Sequence, residues 1–231
     1  MPAKVALPST SEAIDDYLKA ILELSGPAED RVTSNALAAH LGVRAPSVTG
    51  MLQKLASQRP SFVRYEKHRG VRLTITGKRR ALEVLRHHRL LEQFLHEFLG
   101  YTWDEVHEEA ERLEHFISER FEERIAAKLG DPDTDPHGHP IPERDGAIPL
   151  RQEVSLLKWD CGVPAIISSV SDRDSSSLRE LQRLGLVPGV SLVVEPSPRN
   201  GSVLIRIKSQ SEPVRVSQRL AGDISVVADV L

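Results

Sequence analysis

The chain has 231 residues, which is enough for one large domain or about two to three small ones. Its formal net charge is −3, and with 4% aromatic residues its cores should be mainly aliphatic. Its single cysteine, Cys161, excludes an intrachain disulfide framework and leads us to expect a cytoplasmic protein. The longest apolar runs fall well short of the roughly 18 residues that a membrane span requires, so no membrane partner is expected.

The charge is distributed very unevenly along the chain. Residues 44–80 contain ten Lys or Arg against one acid, a net charge of +9, whereas residues 92–145 contain five against sixteen, a net charge of −11. A basic block predicts contact with a polyanion, and an acidic block can hold cations.

The N-terminal third predicts a helix-turn-helix. Residues 11–24 have helical apolar spacing behind Ser11, a plausible N-cap. A short helix is predicted to start near Ser34, to end near Gly42, and to be followed by a second helix from Ala45, with Pro46 in its first turn. In such a motif the second helix enters the DNA major groove.

Residues 62–80 alternate around Arg69-Gly70 and predict a β-hairpin wing. An αα-hairpin with no role in DNA binding would have the same helical pattern, but the many basic residues favour DNA because phosphate neutralisation dominates DNA affinity. The candidate DNA contacts are Arg44 just before the second helix, Pro46, Ser47, Thr49, Gln53 and Lys54 on it, and Arg64, Lys67 and Arg69 on the wing.

The acidic middle predicts helices that carry metal ligands, the alternative being an ordinary solvated face of charged side chains. Residues 81–100 form one predicted helix, in which His88 and Glu92 are four residues apart on one face. Residues 106–118 form the next, and its helical period continues to Gly130. Four possible ligands of this second helix fall within an arc of roughly 100°: they are His107, Glu111, Glu114 and His115.

These ligands are imidazole and carboxylate groups without thiolate, a mixture that suits Mn²⁺ or Fe²⁺ better than structural zinc. A metal-dependent enzyme of the di-iron carboxylate class needs Glu-x-x-His motifs, and no Glu precedes a histidine at that spacing. The abundant Leu and Phe on these helices predict a helical homodimer interface.

The segments HHRLLEQFL (87–95) and VHEEAERLEHFIS (106–118), after a winged helix, resemble the diphtheria toxin repressor family, which includes iron-dependent repressors and manganese transport regulators. GHPIP (138–142) is similar to the segment that closes the family's dimerisation domain. The resemblance covers essentially the whole chain. It implies a homodimeric, metal-activated regulator of transcription, usually a repressor of metal-uptake genes.

The resemblance implies two metal sites. The activating site would use Asp16 with Glu111, Glu114 and His115, and a second site would use His88, Glu92 and His107. Iron-responsive members typically have Met and Cys where this chain has Asp16 and Glu111, so hard carboxylates favour Mn²⁺ over Fe²⁺, with about two ions per subunit. Lys19 replaces an acidic residue of the manganese pattern, which favours two separate sites.

The C-terminal third has the period-two pattern of strands from Val154 onward, with one short helix after Ser175. It is similar to the SH3-like third domain of longer family members and to ferrous-iron transport proteins. In iron-dependent members this domain donates a Glu and a Gln to the second site, and the nearest equivalents here are Asp174 and Ser177, the alternative being a solvated loop with no ligand. Residues 131–149 predict a linker, in which His137 and His139 would be exposed, the alternative being that they bind a metal ion weakly.

Together these patterns predict a mainly α protein with a β C-terminal domain. The expected order is a winged helix-turn-helix (1–76), a helical metal-binding and dimerisation domain (77–142), a linker (143–153) and an SH3-like β-barrel (154–231). The predicted function is a Mn(II)-activated repressor that binds palindromic double-stranded operators, with an Fe(II)-dependent repressor as the alternative. Neither catalysis nor a small-molecule substrate is expected.

Overall fold

The structure, a computed structural model, describes residues 11–26, 28–149, 151–196 and 201–229. It divides into two compact units. The first holds the described residues up to His87 together with Pro142–Ala147, and the second holds His88–Ile141 and the described residues from Ile148 onward. One long helix, α4, has residues in both.

The first unit contains a helix-turn-helix followed by a two-stranded wing. Its elements are α1 (Glu12–Ser25), α2 (Ser34–His40), α3 (Ala45–Ser57), β1 (Val63–Glu66), β2 (Gly70–Leu73) and the start of α4 (Ile75–Leu99). The core consists of aliphatic side chains from each helix, including the fully buried Leu18, Leu37 and Leu52, packed against Val71 of the wing.

Local sequence signals determine where the helices and the wing of this unit begin and turn. The Thr33 hydroxyl caps α2 by accepting a hydrogen bond from the Ala36 N–H, and a proline lies in the first turn of α3. Gly70 is required where the wing turns, because its φ is +96° and a Cβ there would lie 2.6 Å from the carbonyl oxygen of Val32. The predicted wing is therefore present, with β1 antiparallel to β2.

Helix α4 begins earlier than the sequence predicts. The alternating pattern predicts a wing that extends to residue 80, but β2 ends at Leu73 and the helix starts at Ile75. The Thr74 hydroxyl accepts a hydrogen bond from the Gly77 N–H at 3.2 Å. Gly77 lies against the Phe62 backbone, where a Cβ would approach the Phe62 oxygen to 2.0 Å. A glycine that resembles a turn signal is thus a close-packing position in a helix.

The second unit begins with the later part of α4, followed by α5 (Val106–Leu113) and α6 (Glu119–Leu129). The prediction of one helix continuing to Gly130 is wrong, because Ser118 starts a new helix by accepting a hydrogen bond from the Phe121 N–H. Buried Leu91, Val106 and Ile125 join the three helices. Among the described residues, no helix is long and apolar enough to cross a membrane.

The chain then forms a six-stranded antiparallel sheet in the order β3-β8-β4-β5-β6-β7, which we call the β domain. Its elements are β3 (Val154–Ser155), a 3₁₀ turn (Leu156–Lys158), β4 (Pro164–Val170), α7 (Ser175–Leu184), β5 (Ser191–Glu195), β6 (Ser202–Ile207), β7 (Val214–Ser217), α8 (Gln218–Gly222) and β8 (Ile224–Ala228). Fully buried Leu178 and Leu181 of α7 complete its apolar core.

Residues 133–141, predicted as part of an exposed linker, are packed in the second unit. The Val170 N–H donates a hydrogen bond of 2.9 Å to the carbonyl oxygen of His137. Gly138, at φ +88°, passes so close to β4 that a Cβ would lie 2.1 Å from the carbonyl oxygen of Ser168. His137 is 0% exposed as a result, so the prediction that it lies exposed in a linker is wrong.

We expect Gly138→Ala to destabilise the protein strongly, because the added Cβ meets backbone as well as requiring a positive φ. Gly162 is a matched control, since its φ is +82° and a Cβ there meets nothing within 4 Å. Gly162→Ala should lower the free energy of unfolding by about 1 kcal/mol, and Gly138→Ala by about 3 kcal/mol or more. Urea unfolding measures both, and equal losses would contradict the close approach.

Candidate metal centre

The centre is built around two buried side chains of α4. His88 and Glu92 lie one helical turn apart, and His88 Nε2 is 3.0 Å from Glu92 Oε1. The Glu92 side chain is 0% exposed. A fully buried carboxylate must be compensated by positive charge or hydrogen bonds, so its surroundings decide what this region can do.

Helix α5 brings His107 to the same carboxylate. His107 Nδ1 lies 3.2 Å from Glu92 Oε1 and 3.2 Å from His88 Nε2. The two imidazole rings meet edge to face, with centroids 4.9 Å apart. The structure therefore brings together the three residues predicted for the second site.

The other nitrogen of His88 faces the end of α5. Nδ1 lies 2.5 Å from Glu114 Oε2 and 3.9 Å from Glu111 Oε1. His115 Nε2 is 3.5 Å from the second oxygen of Glu114. Helix α5 ends at Leu113, before the predicted ligand Glu114. Glu114 nevertheless lies on the predicted face, because as the C-cap residue it keeps helical backbone angles. His88 lies between two groups of donors.

The β domain contributes Asp172, a residue that the sequence does not predict as a ligand. Asp172 Oδ2 is 3.7 Å from Nδ1 of His107 and 3.7 Å from Nδ1 of His139. Asp172 thus completes a group with His88, Glu92 and His107 whose donor atoms all lie within 4.8 Å of one another. Nothing in its local sequence distinguishes it from the other acid of the loop.

Asp174, the residue favoured from the sequence, is not in this group. It caps α7 by accepting hydrogen bonds from the Ser176 N–H at 3.1 Å and the Ser177 hydroxyl at 3.0 Å, and it pairs with Arg219. Side-chain hydrogen bonds from the two serines lower the pKa of Asp174 to about 2. Its carboxylate therefore acts as the N-cap of α7.

A further group adjoins Glu92: Asp135, His137 and His139 also place donor atoms within 4.8 Å of one another. His137 Nδ1 lies 3.8 Å from Glu92 Oε1, and His139 Nδ1 lies 3.3 Å from Asp135 Oδ2. The sequence offers a signal for them in the spacing Asp-x-His-x-His, but the Pro-rich surroundings favour an exposed linker over a metal-binding role.

Glu92 governs the protonation of these histidines. Burial by itself lowers the pKa of His137, but its interaction with Glu92, aided by Asp135 and Asp172, raises that pKa to about 9. The pKa of His107 is also raised against the effect of burial, mainly by Glu92. Burial opposes ionisation of Glu92, yet the surrounding histidines hold the pKa of Glu92 well below its usual range.

The residues fit a bound cation. Glu92 Oε2 and His137 Nδ1 are buried and make no hydrogen bond to any described residue, and a cation held by both would satisfy them. The donor groups within the second unit contain only imidazole and carboxylate. That chemistry suits a divalent ion such as Mn²⁺ or Fe²⁺ and lacks the thiolates of structural zinc sites.

The first unit carries the remaining predicted residues. Asp16 is half-buried on α1, and its role as a ligand stays a prediction. Arg44 at the N-cap of α3 is exposed, as are Pro46, Ser47, Gln53 and Lys54 within the helix and Arg64, Lys67 and Arg69 on the wing. Thr49 differs, because it is half-buried and its hydroxyl donates a hydrogen bond of 3.3 Å to the carbonyl oxygen of Ala45.

Three family models match the chain. They describe the iron dependent repressor N-terminal DNA binding domain over residues 9–71, the iron dependent repressor metal binding and dimerisation domain over residues 74–143, and the FeoA domain over residues 154–228. These matches confirm the predicted fold class: a winged DNA-binding domain, a helical dimerisation domain and an SH3-like β domain.

Full-length relatives support the same assignment. The iron-dependent repressor IdeR of Mycobacterium leprae is 32% identical over 225 residues, 91% of this chain and 94% of the relative. The diphtheria toxin repressor of Corynebacterium diphtheriae is 34% identical over 168 residues, 72% of this chain and 68% of the relative.

Solved structures of metal-dependent regulators also superpose on this chain. A manganese-dependent transcriptional repressor in complex with manganese superposes with a TM-score of 0.86 at 38% identity, covering 93% of this chain and 99% of that one. The manganese regulator SloR gives a TM-score of 0.75 at 31% identity, covering 94% and 98%.

The winged helix and the buried imidazole–carboxylate cluster define a DNA-binding regulator that responds to a divalent metal ion. The chain belongs to the iron-dependent repressor family, which includes the diphtheria toxin repressor. It is a metal-dependent transcriptional repressor and not an enzyme.

We expect the stability of the metal-free protein to depend on the protonation of His137. The pKa of His137 is about 9 in the folded protein against 6.5 for an unperturbed histidine. Its stabilising contribution to the metal-free protein is therefore fully present below pH 6.5 and is lost as the pH rises through 9, with an upper limit of about 3 kcal/mol. Urea unfolding in EDTA from pH 6 to pH 10 should show this loss.

The comparison variant is His137→Gln, which should lack the effect, while exposed His68→Gln should keep it. A stability difference between wild type and His137→Gln that does not change with pH would contradict the assignment.

Proposed function

We propose that the protein is a Mn(II)-activated repressor of metal-uptake genes that binds a palindromic operator as a homodimer. The observation that carries the metal assignment is the chemistry of the cluster, which is oxygen and nitrogen throughout. Hard carboxylates in place of sulfur reduce the advantage of softer ions over Mn²⁺. The 38% identity to a manganese-dependent repressor also favours this assignment.

We assign two groups of ligands. The activating ion would be held by Glu111, Glu114 and His115, with His88 beside them and Asp16 as the ligand from α1. The second ion would be held by Glu92 and His107 with Asp172, the carboxylate we substitute for Asp174, and with Asp135, His137 and His139 adjoining. Two separate sites, about two ions per subunit, remain part of this proposal.

The role of the ion is to select one arrangement of the chain. An ion that binds two arrangements equally shifts nothing, and moving the populations from 1:99 to 99:1 takes roughly 5.5 kcal/mol of differential binding. Ligands drawn from both α1 and α5 would supply that difference, because the set is complete only when the two helices are correctly placed. In this proposal the placement of α1 sets the separation of the two α3 helices of the dimer, which enter the DNA grooves.

Homodimerisation is supported by the apolar surface of the helical region. Phe98, Leu99, Phe116 and Phe121 are between 39% and 71% exposed, which is unusual for large apolar side chains of a monomer. A two-fold dimer presents two copies of α3 to successive major grooves, which is why a palindromic operator is proposed. The proposal places the protein in the cytoplasm, where the operator DNA is.

The metal assignment is tested by DNA binding with different ions. Duplexes selected from a random pool by the Mn(II)-loaded protein are titrated by fluorescence anisotropy in Mn(II), anaerobic Fe(II), Zn(II) or EDTA. Tight binding in Mn(II) and none in EDTA is expected. A strong preference for Fe(II) would instead support an Fe(II)-dependent repressor of iron-uptake genes, and indifference to all ions would overturn metal control.

Variants at α5 sharpen this test. Glu114→Gln should weaken Mn(II)-dependent DNA binding by at least about tenfold, because it removes a buried ligand charge. Glu111→Cys should shift selectivity from Mn(II) towards Zn(II) and Fe(II), because thiolate favours softer ions. Glu108→Gln, on the same helix with a side chain 78% exposed, is the matched control and should behave as wild type. Unchanged selectivity in Glu111→Cys would contradict the role given to Glu111.

The two parts of the DNA-binding surface should respond differently to mutation. Gln53→Ala should cost about 1–3 kcal/mol on the best duplex and relax the preference at one base position, as expected for a base contact. Lys67→Ala should weaken binding to all duplexes alike and reduce the slope of log K against log salt by about 1. Anisotropy at several salt concentrations separates them, and identical behaviour would refute the division.

A further inference from the structure

Trp103 joins the metal centre to the β domain. It lies in the short loop between α4 and α5, yet its side chain is 5% exposed and belongs to the apolar core of the β domain. The next residue, Asp104, pairs with Arg179 of α7 at 2.8 Å. The loop that leads into α5 is therefore attached to the β domain at two consecutive residues.

The same tryptophan makes two contacts with His137. His137 Nε2 donates a hydrogen bond of 2.7 Å to the carbonyl oxygen of Trp103. The indole and imidazole rings are stacked, with centroids 5.8 Å apart and planes at 29°. The hydrogen bond sets the direction of the imidazole, and the stacking limits its rotation.

These contacts decide which nitrogen of His137 is available. A carbonyl oxygen only accepts hydrogen bonds, so Nε2 keeps its hydrogen whether the ring is neutral or charged. The lone pair of the neutral ring is then on Nδ1. This atom is buried, makes no hydrogen bond to any described residue, and lies 3.8 Å from Glu92 Oε1. Metal-binding histidines are commonly held in this way by a carbonyl on their other nitrogen.

We propose that Trp103 is a positioning residue of the second metal group, acting through His137. Its carbonyl directs Nδ1 to the ion beside Glu92, and its indole ring holds the imidazole at that angle. Because the ring also belongs to the β-domain core, occupancy of this group is linked to the packing of the β domain. This inference rests on the proposed function, in which Glu92 and its neighbours hold the second ion.

The nitrogen assignment is tested in the wild-type protein. With ¹⁵N-labelled histidine and ¹¹³Cd(II) as a diamagnetic probe, NMR should show metal coupling at Nδ1 of His137 and a retained hydrogen on Nε2. Coupling at Nε2, or no coupling at His137 when cadmium is bound, overturns the proposal.

The role of the ring is tested by Mn(II) affinity, measured from the EPR signal of free Mn²⁺. Trp103→Leu keeps the carbonyl but loses the stacking, and the affinity for one ion should fall about 10- to 100-fold. Trp103→Phe keeps an aromatic ring and should lose less. Trp159→Phe, at the other tryptophan of the sequence, should bind as wild type.

A double variant separates positioning from general stability. If Trp103 acts through His137, then Trp103→Leu should not lower Mn(II) affinity further in a His137→Ala background, whereas independent effects add. Additive losses, or a lower unfolding temperature in EDTA with unchanged Mn(II) affinity, overturn the proposal. If wild type shows neither Mn(II) binding by EPR nor Mn(II)-dependent DNA binding, the proposed function itself fails.

Discussion

The burial of the Glu92 carboxylate is the constraint on which the second unit depends. A carboxylate with no exposed surface is strongly unfavourable unless positive charge or hydrogen bonds surround it. Imidazoles from three separate segments do so here: His88 of α4, His107 of α5 and His137 of the Gly138 segment. The carboxylate thus holds together parts of the chain that are far apart in sequence, whether the positive charge comes from protons or from a metal ion.

This requirement explains why the segment around Gly138 is packed and not free. Only a glycine can approach the Ser168 carbonyl so closely, and that approach carries His137 towards Glu92. The same segment leaves Asp172 near His139. Side chains from the helical region and from the β domain therefore meet in one cluster, which is the arrangement that the proposed second metal site requires.

The incorrect sequence-based predictions all concern features that depend on contacts or on single capping residues, which composition and periodicity do not show. Asp172 and Asp174 are chemically alike and two residues apart, and only the capping of α7 and the pairing with Arg219 separate their roles. His137 lies in a stretch rich in Pro, Asp and Gly that has the composition of a loop, although a loop can still be buried by the contacts it makes. The break before α6 depended on one capping serine within a continuous helical period.

The sequence by itself determined the helix-turn-helix, the wing and the pairs of ligands one turn apart on helices, such as His88 with Glu92, because helical and strand periods are local properties. Only the tertiary structure places Asp172 and His137 beside these ligands and Trp103 against His137. Those contacts join positions separated by tens of residues, and they exist because a buried charge and a glycine without a side chain draw these segments together.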